Sequence, residues 1–164
     1  MNAILDDETA PEWTQHYSAR EQVRANTPGI LGKDRRIVDI EFERHQRGRR
    51  PRLRFEAKRL GPGRKHSASG YFGDGGLEAF TTGYYDRTHQ DVGMLGCVQS
   101  ENESRWADKL SKESIKRTER LGIIEAWSAF AGEGFSPFTY RTGHLGESGR
   151  TLNVFHVLLG FLTA

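Results

Sequence analysis

Hydrophobic and polar residues alternate along two stretches in the first third of the chain. In Arg36–Phe42 apolar side chains occupy every second position, and Arg52–Leu60 repeats this pattern. Successive side chains of a strand point to opposite faces, so the alternation predicts two strands. The polar, Gly-containing connection at 46–51 favours a turn, and we therefore expect an antiparallel hairpin.

Other stretches predict helices and further strands around this hairpin. Helix-compatible composition or spacing occurs in three segments, which are Glu12–Asn26, Gly75–Tyr85 and Ser104–Leu121. The compact apolar run at Asp91–Gln99 favours a buried strand. Two late stretches, Phe135–Thr142 and Thr151–Phe161, are typical of a closing hairpin. The basic, Gly-containing stretch Gly61–Ser69 favours a flexible loop.

The order of these elements defines a fold class. Helices and strands are interspersed without an internal repeat or a splitting linker. This predicts one α/β or α+β domain over residues 1–164, with a mixed central sheet flanked by helices. A length of 164 residues suits a single core. The first ten residues are acidic and unpatterned, so we expect a frayed end there.

Composition narrows the cellular setting. No apolar leader follows Met1 and no stretch approaches the length of a membrane span, so we expect neither a signal peptide nor a membrane partner. The single cysteine, Cys97, excludes an internal disulfide, and no Cys/His spacing suits zinc. Its apolar neighbours favour a small buried side chain. We predict a protein of a reducing, cytoplasmic compartment.

Basic residues are concentrated around the predicted hairpin, although the formal net charge is only +2. Thirteen Lys or Arg lie between Lys33 and Lys65. One interpretation is a solvated, charge-rich hairpin, which is the usual meaning of a charge run. The other is a patch that follows a phosphate backbone. A neighbouring acidic site favours the second interpretation.

Carboxylates and a lysine stand together on the predicted hairpin. Glu56 and Lys58 are two residues apart on one strand and so share a face, and Asp39 lies on the other strand in matching register. Phosphodiester hydrolysis needs an activated water and a stabilised charge on the phosphate. Carboxylates can hold magnesium for this purpose, with the Ala57 carbonyl as an added ligand, while a lysine orients or deprotonates the water. Glu41, on the face of Asp39, is a further candidate ligand.

The Glu56 and Lys58 side chains also have a purely structural interpretation. They can form an ion pair on a solvated sheet face without any chemistry, and average usage predicts about one E-x-K in a chain of this size. Three observations favour a site. This E-x-K is the only one in the chain, it lies on an apolar strand, and the preceding strand carries Asp39. The residues alone leave both interpretations open.

The sequence around these residues resembles a known nuclease family. Asp39 followed by Glu56-Ala57-Lys58 is similar to the signature of the PD-(D/E)xK superfamily, and the element order resembles its restriction-endonuclease-like core. Three short stretches are similar to bacterial members associated with restriction and phage defence: 55–60, 83–85 and 93–96. The similarity covers roughly 12–99 and, more loosely, 156–161. Val38 stands where the motif has a proline, which is a structural position.

This resemblance implies a reaction and a set of roles. Asp39 and Glu56 bind Mg2+ in that family pattern, with Mn2+ as a substitute, and Lys58 assists the water. Glu21, on the predicted leading helix, is the candidate for a further carboxylate. The implied activity is that of a Mg-dependent endonuclease acting on DNA, in restriction or antiviral defence.

Nucleic-acid contacts and partners complete the sequence-based hypothesis. Arg59, Arg64 and Lys65 follow the motif and are the expected phosphate contacts. The chain is short for a separate sequence-reading domain, so we expect specificity from a homodimer or from a partner subunit of a defence complex. Two other functions stay open, because function lies in sites rather than folds. They are a catalytically silent interaction module of the same fold and an RNA-cleaving nuclease or toxin.

The remaining histidines and glycines indicate structure rather than chemistry. His66 and His89 lie in polar loops and are expected at the surface. His144 and His156, on or beside the closing strands, are expected to pack or to form hydrogen bonds. The glycines in 70–76 lack the Gly-Lys-Ser/Thr ending of a phosphate loop, which excludes a nucleotide site of that type.

Overall fold

A seven-stranded sheet is the centre of the fold, as a computed structural model shows. The structure describes residues 16–24, 37–45, 51–85, 90–132, 136–147 and 149–161, so the expected frayed end lies outside the described residues. The strands are β1 (Tyr17–Arg24), β2 (Ile37–Arg44), β3 (Arg52–Leu60), β4 (Asp91–Val98), β5 (Ile123–Ala129), β6 (Thr139–Leu145) and β7 (Thr151–Gly160). Their order across the sheet is β1-β2-β3-β4-β7-β6-β5.

The sheet is mixed, with a parallel centre and antiparallel flanks. β3, β4 and β7 are parallel, whereas β1–β2–β3 and β5–β6–β7 pair antiparallel. Parallel pairs need long crossover connections, and these contain the helices. The helices are α1 (Ala68–Phe72), α2 (Glu78–Thr81) and α3 (Glu103–Lys116), and a short 3-10 helix (Arg64–His66) precedes α1. The predicted mixed α/β class is confirmed.

The core lies between the sheet and the helices. Tyr71 of α1 and Leu110 of α3 are buried there. Gly96 of β4 makes room for this packing, because a Cβ at that position would lie 2.7 Å from Leu60 and 2.6 Å from Leu158. Any larger residue at 96 would have to displace core side chains, so close packing against the helices requires glycine here.

β3 buries its charged face more deeply than its apolar face. Arg54 and Glu56 are 3% and 5% exposed, whereas Leu53 and Phe55 stay half-buried. On this second face the Phe55 ring covers Gly93 and meets Phe42 edge to face at 5.9 Å. The hairpin of β2 and β3 is confirmed with the predicted β3 bounds, but four of its charged side chains are buried: Glu41, Glu43, Arg54 and Glu56.

The predicted leading helix is wrong over its described part. Residues Tyr17–Arg24 form an edge strand that pairs with β2 from Tyr17↔Arg44 to Arg24↔Ile37. The sequence has only sparse apolar anchors and no helical stripe, so an isolated helix gains little. Pairing with β2 instead gives the segment backbone hydrogen bonds along one side, and tertiary structure overrides the weak local preference.

Three further expectations need correction. The predicted loop at Gly61–Ser69 contains the 3-10 helix and the start of α1, where the Ser67 hydroxyl caps the helix by accepting from Gly70 N–H at 3.2 Å. The predicted helix at Gly75–Tyr85 is only the four residues of α2. The third helix ends at Lys116 rather than Leu121.

Strand β5 was missed altogether. It follows a turn at Gly122, whose φ is +59, and most of its residues are exposed. Its register with β6 shifts twice, so apolar and polar positions do not alternate cleanly. β4 and β7 lie where the pattern placed them, and the predicted closing hairpin is confirmed as β6–β7. β6 itself is Thr139–Leu145 rather than the predicted Phe135–Thr142, so it is shifted towards the C-terminus. No helix in the described part of the chain is long and apolar enough to cross a membrane.

Candidate active site

The site is formed where β2 and β3 separate. Their backbone pairing ends at Ile40 and Phe55. At the preceding residue of β2, the Asp39 side chain replaces the backbone as the acceptor. Its Oδ2 accepts a hydrogen bond from the Ala57 backbone N–H at 2.8 Å. The motif aspartate is thereby held beside the strand segment that carries Glu56 and Lys58.

Glu56 and Lys58 stand on the same face of β3, as their spacing predicts. Lys58 Nζ donates to Glu56 Oε1 at 2.6 Å. The Glu56 side chain is 6% exposed and that of Lys58 is 26% exposed, so the pair reaches from the interior towards solvent. This is not a solvated surface pair, because one partner is almost completely buried.

The Glu56 carboxyl is costly to ionise in this position. Burial raises its pKa above the ordinary value, and the negative charge of Asp39 adds to this effect. The hydrogen bond and charge of Lys58 oppose it, as does the Tyr85 hydroxyl. Oε2 of Glu56 is buried and has no partner at hydrogen-bonding distance among the described residues. A cation at that oxygen would compensate the charge.

Glu41 forms a buried ion pair with Arg54, and this pair makes it unavailable as a metal ligand. Arg54 Nε donates to Glu41 Oε2 at 2.8 Å, and both side chains are almost completely buried. The carboxylate is therefore neutralised within the protein. Arg54 also donates from Nη1 to the Tyr85 backbone carbonyl at 3.1 Å.

Glu21 is not brought to Asp39 and Glu56. It lies on the edge strand β1 rather than on a helix, opposite Ile40. Its neighbour Arg20 reaches Glu43 at 3.6 Å on the charged face. Because adjacent residues of a strand alternate, Glu21 leaves β1 on the other face.

The expected phosphate contacts lie close to the motif along the chain. Arg59 is the exposed last-but-one residue of β3, and Arg64 and Lys65 are exposed in the 3-10 helix. That helix contacts both β3 and α1. His66 is half-buried in the same helix, and His89 lies outside the described residues.

His144 and His156 form a buried chain of hydrogen bonds, as the sequence suggested. Thr142 Oγ1 lies 2.7 Å from His144 Nε2 and 2.9 Å from His156 Nε2. His144 Nδ1 donates to the Leu121 carbonyl at 2.9 Å, and the Tyr71 hydroxyl lies 3.1 Å from His156 Nδ1. One set of protons satisfies every link if both rings are neutral, with Thr142 donating to His144 and accepting from His156.

The donor set at the motif fits magnesium. The described residues contain no cluster of three or more His, Cys, Asp or Glu. Mg2+ does not require one, since it keeps several waters and binds proteins through one or two carboxylates. Asp39 and Glu56 supply such a set, because one Glu56 oxygen has no partner among the described residues and the Ala57 carbonyl follows Glu56 directly in sequence.

Sequence reasoning missed Arg54 and Tyr85 at this site. Arg54 shares the face of Glu56, and this i, i+2 relation was available as a signal. Tyr85 had no comparable signal, because a turn after α2 brings it to β3 from a distant part of the sequence. Cys97 is half-buried and burial raises the pKa of its thiol, which agrees with a packing role.

The chain matches no protein-family model, no curated protein and no solved structure. Asp39, Glu56 and Lys58 are brought together, while Glu21 and Glu41 are directed elsewhere.

Proposed function

We propose that this chain is a metal-dependent endonuclease that hydrolyses phosphodiester bonds of DNA, built on a restriction-endonuclease-like domain. The observation that carries the proposal is the convergence of Asp39, Glu56 and Lys58 where two strands separate. Glu56 keeps a buried oxygen without a partner beside them. A purely structural ion pair gives no reason for this unsatisfied acceptor.

The roles follow from the positions. Asp39, Glu56 and the Ala57 carbonyl would hold Mg2+, or Mn2+ in its place. The bound ion supplies charge stabilisation at the phosphate and lowers the pKa of a water. Asp39 is fixed by the Ala57 amide, so the carboxylate is already oriented. Glu56 contributes a desolvated carboxylate with one free oxygen.

Lys58 lies between the buried Glu56 carboxyl and solvent. It is a quarter exposed and donates hydrogen bonds, so it can orient the attacking water and offset negative charge on the phosphate. In the reaction the water oxygen bonds to phosphorus and the bond from phosphorus to the leaving sugar oxygen breaks. The proton lost by the water is balanced by the one that the leaving oxygen gains, with solvent between them.

A nucleic acid is the proposed substrate because exposed cations lie next to the motif, and the family resemblance favours DNA. Arg59, Arg64 and Lys65 are free to neutralise phosphates on the strand that enters the site. A role in restriction or antiviral defence follows from the family resemblance alone. A homodimer or a partner subunit would supply sequence specificity, since the described strands all belong to the one sheet that carries the motif.

The decisive assay is cleavage of supercoiled plasmid with Mg2+ or Mn2+. The wild type should nick or linearise it, and Glu56→Gln and Lys58→Met should lose at least 100-fold in rate, in the range of a lost catalytic group. Glu113→Gln is the matched control, since the Glu113 carboxylate pairs with Arg117 at the C-terminal end of α3. This variant should cleave like the wild type.

Two other outcomes identify the alternatives. Faster cleavage of single-stranded RNA than of DNA, lost in the same variants, would make the chain an RNA-cleaving nuclease. Folded wild-type protein that cleaves neither polymer with either metal would contradict the proposal for the isolated chain and favour a silent interaction module.

A further inference from the structure

The sheet has one buried face and one face that stays partly exposed. In β7 every second residue from Leu152 to Leu158 is buried, whereas Phe155 and Val157 between them are half-buried. Alternate residues of a strand belong to opposite faces. The described helices contribute to the core on the buried face, where the Tyr71 hydroxyl lies 3.1 Å from His156 Nδ1. The half-buried side chains therefore belong to the face without these helices.

A cleft of about 560 Å³ lies on this second face, beside the connected ends of β2 and β3. Four of its lining residues are aromatic and come from four different strands: Tyr17, Phe42, Phe55 and Phe155. A volume of this size accommodates a small organic ligand, and a lining rich in aromatic side chains is typical of such sites.

The rings of the cleft are held by close packing. Gly93 of β4 lies between Phe55 and Phe155 in the strand register, and a Cβ at Gly93 would collide with the Phe55 ring. The glycine thus lets this ring lie over β4. Phe55 meets Phe42 edge to face at 5.9 Å, and Phe155 meets Phe130 in the same way at 5.2 Å. The cleft is therefore formed before any ligand arrives.

Arginines lie at the same end of the cleft. Arg44 is exposed, lines the cleft and lies over the Tyr17 ring at 5.9 Å from its centroid. Arg52 also lines it, and both Arg52 and Arg20 approach the buried Glu43 carboxylate, at 3.4 and 3.6 Å. The sequence between the two strand ends adds three more arginines, at 47, 49 and 50. This end of the molecule therefore attracts an anion.

Aromatic rings beside arginines define the chemistry of the ligand. Nucleobases stack on aromatic side chains, and arginine binds the attached phosphate. Asp91 is the one acid among the described lining residues, and a carboxylate can accept from the amino group of a base. A purely apolar partner would cover the rings but would also remove the arginines from water without a counter-charge.

We propose that this cleft binds an unpaired nucleotide, with its base on the rings of Phe42, Phe55 and Phe155 and its phosphate at Arg44. The nucleotide can be free or part of a strand, since both present the same base and phosphate. Phe55 and Glu56 are adjacent in β3, so the cleft and the motif lie on opposite faces. The inference thus goes beyond the proposed function and requires neither a metal ion nor cleavage.

The test is binding of a fluorescein-labelled, mixed-sequence single-stranded DNA to the full chain, followed by fluorescence anisotropy in EDTA. Phe42→Leu and Phe155→Leu keep an apolar side chain but remove a stacking surface, so each should weaken binding about fivefold or more. Phe138→Leu is the matched control, because it removes the same atoms from a ring that packs against the core, and it should bind like the wild type.

Arg44→Gln tests the phosphate contact separately. Loss of one contact to a single strand should reduce the slope of log affinity against log salt concentration by about 0.7. Arg44 is exposed, so this variant does not disturb the core. An unchanged slope would overturn the assignment of the phosphate to Arg44.

Competition identifies the source of the nucleotide. Displacement of the labelled strand by AMP as readily as by unlabelled strand would assign the cleft to a free nucleotide, and displacement by the strand alone would assign it to a nucleic acid. Both results uphold the stacking of a base. Equal affinity in the wild type and both Phe variants would overturn the inference.

A wild type that binds neither strand nor AMP would also overturn it. If such a protein sediments as a dimer and Phe155→Leu as a monomer, the cleft is covered by a second copy of the chain. Because EDTA removes divalent cations from the motif, none of these outcomes decides whether the chain is a metal-dependent nuclease.

Discussion

At the residue scale, the burial of Glu56 opposes folding when its carboxyl is ionised. Glu56 is buried with one unpartnered oxygen, and burial raises the pKa of its carboxyl despite the contact with Lys58. A folded-state pKa above the unfolded value means that the folded protein binds the proton more readily. The contribution of Glu56 to folding is thus fully present below its ordinary pKa and is lost as pH rises through the raised value.

Replacing Glu56 should therefore stabilise the protein at neutral and alkaline pH. Glu56→Gln removes the buried charge while keeping the shape, so its Tm should exceed that of the wild type at pH 8 and the difference should shrink towards pH 4. Thermal unfolding by circular dichroism at both pH values measures this.

Glu113→Gln provides the comparison of opposite sign. Although partial burial pulls the other way, the hydrogen bond and charge of Arg117 leave the pKa of Glu113 below its ordinary value. Its contribution is present above the unfolded pKa and is lost at low pH, so this variant should gain no stability at pH 8. A lower Tm of Glu56→Gln than of the wild type at pH 8 would show that the charge is well compensated.

At the scale of elements, the hairpin of β2 and β3 carries the site, and several of its buried side chains are charged. Period-two alternation predicted both strands, and the bounds of β3 were correct. The alternation could not show which face would be buried, because helices from later in the sequence cover the charged one. β1 and β5 escaped prediction, since their backbone pairing rather than an apolar pattern makes them strands.

The buried Arg54–Glu41 pair predicts a strong non-additivity. Arg54→Met leaves Glu41 charged and unpaired in the interior and should lower the free energy of unfolding by about 3–5 kcal/mol. The double variant Glu41→Leu/Arg54→Met removes both charges and should lose much less than the sum of the single variants. Urea unfolding of the four proteins gives the cycle, and additive losses would mean that the two side chains act independently.

Across the whole molecule, a buried hydrogen-bond chain joins parts that are far apart in sequence. It runs from the Leu121 carbonyl through His144, Thr142 and His156 to Tyr71, and so links β6, β7 and α1. The sequence indicated hydrogen-bonded histidines but not this order, because the order depends on strand register. The position of Asp39, Glu56 and Lys58 was predictable, whereas Tyr85 depends on the tertiary fold.

The buried hydrogen-bond chain predicts that the stability of the folded protein falls as the pH drops below neutral. Burial lowers the pKa of His144 and lowers that of His156 further below the ordinary value. The unfolded state therefore takes up protons first, and stability falls as pH drops below about 6.5 towards the depressed values. The free energy of unfolding from urea melts should decrease between pH 7.5 and 5.5.

A variant isolates the contribution of the histidines to this decrease. His156→Gln has no titrating group and should show a shallower decrease over that range, even if it is less stable throughout. An unchanged slope in this variant would assign the acid sensitivity to other groups.

The central claim is that Asp39 and Glu56 hold one divalent cation for phosphodiester cleavage. The most direct measurement is anomalous diffraction from crystals soaked in Mn2+ at a concentration that supports plasmid cleavage in solution. We expect one anomalous peak in contact with both carboxylates, with Glu56 bound through the oxygen that has no partner in the protein. Cleavage in solution without a peak at these two side chains would contradict the account.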